Sequence, residues 1–347
     1  MSDQLKVRID ENGPLTFHEF MTSALYDPEH GFYTKGPLIG RPEGAFNTNA
    51  MFPAFAFALT RVIQQAEALI GEPLRVLEFG GGTGELASNI LSFRSSSVNN
   101  YIIIETSPSL REQQKQRGIT TFSSLENLSP APTFVFGNEV LDALPVHRVM
   151  RDGTGELLEL YVGLDEDREL MEFPRQPSTP LLAKRLQDEQ INLGRGQVAE
   201  ICLDLDDFLC AIQHVVSKGY VVFIDYGDEA ADLYSYKKLN GTLRSFRSQK
   251  PTFDPFDAVG EQDLTADVDF TALKLAAVKA GFSYLGSSRQ GTWLKSIGID
   301  QYVSQTQKKH HAQMEIEQLT SMAYLGSCFD VYIFKTVGVP DGLTLHL

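Results

Sequence analysis

This 347-residue chain predicts an α/β fold, a doubly wound and mostly parallel Rossmann-like sheet, and three observations carry the prediction. From residue 74 onward, short apolar runs alternate with helical patterns, the signature of parallel strands joined by crossover helices. The first run, residues 74–79, ends in Glu78-Phe79 and opens into Gly80-Gly81-Gly82-Thr83-Gly84 ahead of a helical stretch from Glu85. The second, Asn100-Tyr101-Ile102-Ile103-Ile104, reads as a strand buried on both faces and closes in Glu105, one βα step later.

Taken in order, residues 1–73 form an N-terminal helical and lid segment. Phe55, Leu59, Val62, Ile63, Ala66 and Ile70 recur at helical spacing. The Gly/Pro-punctuated stretch from Gly36 to Phe46 reads as a loop over a ligand. Residues 74–347 form the core, with strands expected at 74–79, 101–105, 133–138, 220–225, 282–287 and 328–336. A helix near 204–217 places Phe208, Ile212, Val215 and Val216 on one face, and Gly219 is expected to close it. Asp269 is placed to cap a helix carrying Phe270, Leu273, Ala277 and Ala280, although with Asp263 and Asp267 it could also rim a cleft. Near 150–200, 228–265 and 291–326 the pattern weakens, and these stretches read as insertions that shape a substrate cleft.

The glycine loop narrows the ligand. Glycines at 80, 82 and 84 let backbone turn sharply and approach a ligand where a Cβ would clash, and the helix that follows presents its amides and positive end. A phosphate-cradling loop needs a Lys-Ser/Thr pair after its last glycine, whereas Gly84 is followed by Glu85-Leu86. A dinucleotide fingerprint is formally present in Gly82-Thr83-Gly84-Glu85-Leu86-Ala87, with Glu105 at the distance of a ribose-binding acid. Against it, Glu78 lies under the glycines and Glu85 opens the helix, where a pyrophosphate would be repelled. S-adenosylmethionine has no phosphate and carries an ammonium and a sulfonium that an acid attracts. The expected cofactor contacts are therefore Glu78, Gly80, Gly82, Gly84 and Glu105, the last for the ribose hydroxyls.

Other chemistry is expected where strands end, since open α/β sheets bind ligands there. Residues 133–138 run into Asn138-Glu139-Val140-Leu141-Asp142, placing Asn138, Glu139 and Asp142 beside the cofactor, where acids could orient a cationic nucleophile and receive its proton. The run ending in Ile224-Asp225-Tyr226 repeats the logic. Asp225 is the best single candidate for touching substrate, and Tyr226 either packs on the cofactor or joins the core.

Composition excludes several classes. The net charge of −15 argues against nucleic acid, which demands a compensating basic surface, and suits a basic substrate. The longest strongly apolar stretch, Phe52 to Leu59, is too short to span a membrane. The N-terminus, with Asp3, Asp10 and Glu11, resembles neither a secretory signal nor an Arg-rich transit peptide and predicts a cytoplasmic chain. Cys202, Cys210 and Cys328 form no C-x-x-C pair, and His310-His311 lacks a third ligand nearby, so neither a disulfide framework nor a metal site is indicated.

Together these motifs resemble the MidA-like family of class I S-adenosylmethionine-dependent methyltransferases. The resemblance covers nearly the whole chain. It rests on Leu25-Tyr26-Asp27-Pro28 with Gly31-Phe32-Tyr33, Gly44 to Thr48, Glu78 to Leu86, Glu105-Thr106-Ser107-Pro108 with Leu110-Arg111 and Gln114, Asn138 to Pro145, Asp225-Tyr226-Gly227, Asp263 to Phe270 and Gln290-Gly291. It implies an enzyme, with Thr106 and Asn138 added to the cofactor contacts, and a protein arginine as methyl acceptor, because the family's mitochondrial members assist respiratory complex I assembly by methylating an arginine on one of its subunits. Glu139, Asp142 and Asp225 are then the expected catalytic acids, holding the guanidinium. Two positions depart from the pattern, Ala45 for an aspartate and Asp267 for a histidine. They keep open a rival reading, an assembly factor that binds S-adenosylmethionine without transferring its methyl. A nicotinamide-dependent oxidoreductase rests only on the formal glycine match.

Overall fold

Seven of the chain's strands form one sheet. The computed structural model describes residues 1–36, 48–93, 100–247, 250–252 and 254–343. It divides into two units: Asn47–Leu141 with Asp207–Tyr226 and Ala277–Leu347, and Met1–Phe46 with Asp142–Asp206 and Gly227–Ala276. The first unit contains the sheet. Its strands are β1 (Arg75–Phe79), β2 (Tyr101–Ile104), β3 (Thr120–Phe122), β4 (Ala131–Asn138), β5 (Val216–Asp225), β6 (Phe282–Arg289) and β7 (Asp330–Thr336), in the spatial order β3-β2-β1-β4-β5-β7-β6. The pairs from β3 to β5 are parallel, and β7 runs antiparallel to both of its neighbours. An α/β architecture on a mostly parallel sheet is therefore observed.

Local chemistry sets the helices that frame the sheet. Helix α1 (Pro53–Ile70) opens on a proline, which is preorganised for a first turn, and ends at Gly71 in the left-handed conformation, φ 82°. Helix α2 (Glu85–Phe93) leaves the glycine loop with an acid in its first turn. Helix α3 (Pro108–Gln116) is capped by Ser107, whose hydroxyl accepts from the Leu110 amide at 3.2 Å. The apolar faces of α1 and α2 and the sheet strands share one core, in which Phe55, Leu59, Ile90, Phe134, Phe136, Val222 and Ile333 are fully buried.

Two expectations change here. Strand β3 is not predicted: three residues with two threonines are too short for a period to show. Gly219 does not close the preceding helix (Leu205–Val215) but lies inside β5, where a Cβ would come within 1.7 Å of the Thr133 carbonyl oxygen. The need for glycine there is close strand approach, not a cap.

The other unit is built on an antiparallel sheet. Leu157–Leu164 pairs with Leu15–Thr16, His147–Arg151 and Leu170–Arg175, and Val198–Ile201 pairs with His147–Arg151. A second small sheet places Arg244–Arg247 between Lys250–Thr252 and Asp263–Thr265. Buried Arg148 donates to Glu200 at 3.0 Å and Glu172 at 2.5 Å, pairing that a charge needs to be held in an interior. Asp267 is held by Lys238 at 2.8 Å and by Arg244, and Asp269 caps the helix Phe270–Lys279 by accepting from the Ala272 amide at 2.9 Å. The lid expected over 36–46, together with Ala45, lies for all but Gly36 outside the described residues.

Candidate active site

Register brings the candidate residues of the parallel sheet to one edge. Phe79 at the end of β1 lies beside Ile104 and Gly137, and Asn138 lies beside Ile224. The next residues, Gly80, Glu105 and Glu139 after their strands and Asp225 as the last of β5, therefore stand at the same level, the carboxyl end where α/β sheets bind ligands.

The loop after β1 needs its glycines. Gly80, Gly82 and Gly84 all have positive φ, at 63°, 50° and 78°. At Gly80 a side chain would be excluded twice, by that backbone and because its Cβ would lie 2.7 Å from Val140 Cγ2. The loop is fastened from outside by Gln114, fully buried on α3, whose Nε2 donates to the Gly82 carbonyl at 2.7 Å.

Beneath the loop, Glu78 is buried and accepts from Tyr101 Oη at 2.8 Å. Burial pushes its carboxyl up to about 8, the Tyr101 hydroxyl opposing and nearby Glu105 reinforcing that shift. Glu105, buried at the end of β2, accepts from the Ser107 amide at 2.9 Å. Burial raises it to about 7, against the pull of that amide and of the Arg111 charge. Arg111 itself donates to the carbonyls of Glu105 and Thr106, both at 2.7 Å, and the Thr106 side chain is exposed.

Across the sheet edge, Asn138 and Glu139 form a hydrogen-bonded cluster with a segment preceding α1. Glu139 Oε1 accepts from Thr48 Oγ1 at 2.7 Å, Asn138 Nδ2 at 2.9 Å and the Asn49 amide at 3.2 Å. Its own amide donates to the Ile224 carbonyl at 2.9 Å, and its φ of 53° is a conformation a glutamate rarely adopts. A side chain held in this way is aimed by its surroundings.

Asp225, the residue expected to contact substrate, sits within the turn. It is 1% exposed; its Oδ2 accepts from the amides of Val140 at 3.1 Å and Leu141 at 2.8 Å, and its Oδ1 from Tyr226 at 3.0 Å. A carboxylate engaged by three backbone amides fixes the turn that carries Glu139. Tyr226 packs on Phe329 in the core, ring centroids 6.0 Å apart. Asp142 belongs to the other unit, where its carbonyl accepts from the Ala266 amide at 3.0 Å. There, loss of solvent pushes the hydroxyl of half-buried Tyr33 well above its ordinary value, the charges of Asp263 and Asp142 reinforcing the shift, and Tyr33 donates to Asp263 at 2.8 Å.

The sequence does not single out Asn49, and it offers Gln114 and Gln290 only as parts of motifs. Side-chain amides that work by bonding one another across distant segments have no local spacing to reveal them. An uncharged amide also lacks the signal that draws attention to an acid at a strand end.

The loop fits S-adenosylmethionine by its own geometry: a close approach that a Cβ would block, an acid at the end of β2 and no lysine for a phosphate. Residues 56–288 match the family described as "Putative S-adenosyl-L-methionine-dependent methyltransferase". The chain belongs to this family. Its cofactor is S-adenosylmethionine, and the protein is a methyltransferase, which sets aside the nicotinamide reading.

Among curated relatives of this family member, the human protein arginine methyltransferase NDUFAF7, mitochondrial, is 26% identical over 340 residues, 86% of this chain and 74% of its own length. The Drosophila melanogaster homologue is 24% identical over 95% of this chain and 83% of its own. A Burkholderia thailandensis protein, whose crystal structure holds S-adenosyl-homocysteine, superposes with a TM-score of 0.89 at 29% identity, covering 98% of this chain and 92% of its own. The cytoplasmic placement expected from the N-terminus does not stand: these curated relatives are named mitochondrial. Acidic first residues carry no address of their own, so they had no power to decide the compartment. Among the described residues no helix is long and apolar enough to cross a membrane.

Proposed function

We propose that this methyltransferase acts on an arginine side chain of a protein and that its sheet is the class I methyltransferase type. The observation that carries the reading is Glu139, a carboxylate fixed by three donors at the strand edge that also bears the glycine loop. The names of the relatives support a protein arginine as acceptor.

In this reading the glycine loop and Glu105 hold the cofactor, Glu105 accepting from ribose hydroxyls, with Glu78 beneath the loop and Thr106 and Asn138 beside it. Bound there, S-adenosylmethionine supplies a methyl on a sulfonium that departs as a neutral thioether, so no acid is needed for the leaving group. Glu139 attracts and orients the acceptor guanidinium and lowers the cost of losing an N–H proton. Asp225 acts as a positioning residue through the Val140 and Leu141 amides. Alignment of donor and acceptor supplies most of the acceleration.

The test is transfer of tritiated methyl from S-adenosylmethionine to a protein extract, with the labelled amino acid identified after hydrolysis. Label in methylarginine is expected, and Glu139→Gln should lower transfer about a hundredfold, the cost of truncating one partner of a charge pair, with S-adenosylhomocysteine affinity nearly unchanged. Label in another residue type, or parallel losses of transfer and affinity, would overturn the assignment.

A further inference from the structure

The Glu139 cluster continues away from the sheet edge through two side chains that no role above uses. Asn49 and Gln290 are both fully buried, 241 positions apart in sequence, and exchange hydrogen bonds: Asn49 Nδ2 donates to Gln290 Oε1 at 2.8 Å, and Gln290 Nε2 donates back to Asn49 Oδ1 at 3.1 Å. The same Nε2 lies 3.2 Å from the Leu319 carbonyl and 3.5 Å from that of Leu325. On its other side Asn49 Nδ2 reaches Asn138 Oδ1 at 3.2 Å, and Asn138 Nδ2 reaches Glu139.

The polarity of this chain is fixed at both ends. Backbone carbonyls only accept, so Gln290 must turn its NH₂ toward Leu319 and its oxygen toward Asn49. Asn49 must then present its NH₂, which leaves Asn138 to receive with oxygen and to donate toward Glu139. A carboxylate, which only accepts, completes the series. Gln290 is also held in place by its neighbour, because a Cβ on Gly291 would come within 2.3 Å of the Thr320 carbonyl oxygen and the chain packs there at backbone contact.

We propose that Gln290 is a positioning residue for Glu139, acting through Asn49 and Asn138 as a relay of oriented amides. The inference rests on the reading of Glu139 as the acceptor-side carboxylate, but the coupling is measurable without an acceptor.

Gln290→Met keeps the side chain's bulk and removes both polar ends. The primary readout is amide hydrogen exchange by mass spectrometry in peptides covering 48–52, 76–84 and 138–141. Exchange over 48–52 and 138–141 should rise about tenfold, the effect of losing one net buried hydrogen bond from local opening, while 76–84 stays as in the parent protein. Gln290→Glu, which turns an oxygen toward the Leu319 carbonyl, should give the same pattern or a larger one. S-adenosylhomocysteine affinity should stay within about threefold in both variants, and methyl transfer should fall about tenfold with it. Unchanged exchange over 138–141, or an equal rise in all three peptides, overturns the relay. Failure of the Glu139 reading gives a different result: Glu139→Gln transfers methyl normally, while the exchange pattern of the Gln290 variants still decides the coupling.

Discussion

Glu78 offers the sharpest test of the electrostatics beneath the glycine loop, because an acid held at about 8 in the folded chain ties stability to pH in a definite direction. The unfolded carboxyl titrates near 4.5. Between these values the folded protein keeps a proton that the unfolded chain has released. The contribution is therefore complete below the unfolded value and is lost as pH rises through the folded one, by about 1.4 kcal/mol per pH unit. From pH 5 to pH 7.5 the loss is about 3 kcal/mol. Glu78→Gln keeps the shape, still accepts from the Tyr101 hydroxyl, and does not titrate. The variant should match the parent near pH 5 and exceed it by about 3 kcal/mol at pH 7.5. Glu105, raised to about 7 by the same burial, titrates in both proteins and largely cancels in the difference. Trp293 is the chain's single tryptophan and is fully buried in the unit that contains Glu78, so urea unfolding followed by its fluorescence reports the right transition. Stability curves of the two proteins that run parallel across this range would refute the argument, since Glu78 would then be ionised and compensated in the native state.

Two further substitutions test the groups around it. Gly80→Ala imposes a Cβ on a left-handed backbone and against Val140, and should destabilise by about 2 kcal/mol or more with weaker S-adenosylhomocysteine binding. Adding Val140→Ala should recover the steric part alone, and a calorimetric titration of single and double variants separates the two causes. Asp225→Asn removes the charge that three backbone amides face and should lower stability by about 2 to 3 kcal/mol. A thermal unfolding midpoint equal to the parent's would show that the turn does not depend on this carboxylate.

How much of the site could be read from sequence depends on whether a residue's role is local. The parallel strands with long apolar runs were legible, since Tyr101–Ile104 and Phe134–Phe136 announce burial on both faces by composition alone. So were the acids at their ends, because register along a parallel sheet levels the positions that follow each strand. What a given acid does at that level is another matter. Glu139 and Asp225 look alike in sequence, one acid at the end of each of two neighbouring strands. The structure separates them by what donates to them: one carboxylate oxygen held by side chains and an amide on an unusual backbone, against a carboxylate that accepts from three backbone amides of the turn. Glu78 was legible as an acid under the loop but not as one raised to about 8, since desolvation is a property of the packed core and not of spacing. The Asn49–Gln290 pair was the least legible. Neither residue carries charge or periodicity, and their partnership exists only once the strand edge, α1 and the chain near Leu319 have been brought together. Sequence patterns thus expose groups whose function follows from position on an element. Those whose function follows from the direction in which another side chain points become visible only when hydrogen-bond polarity is followed from one fixed end to the other.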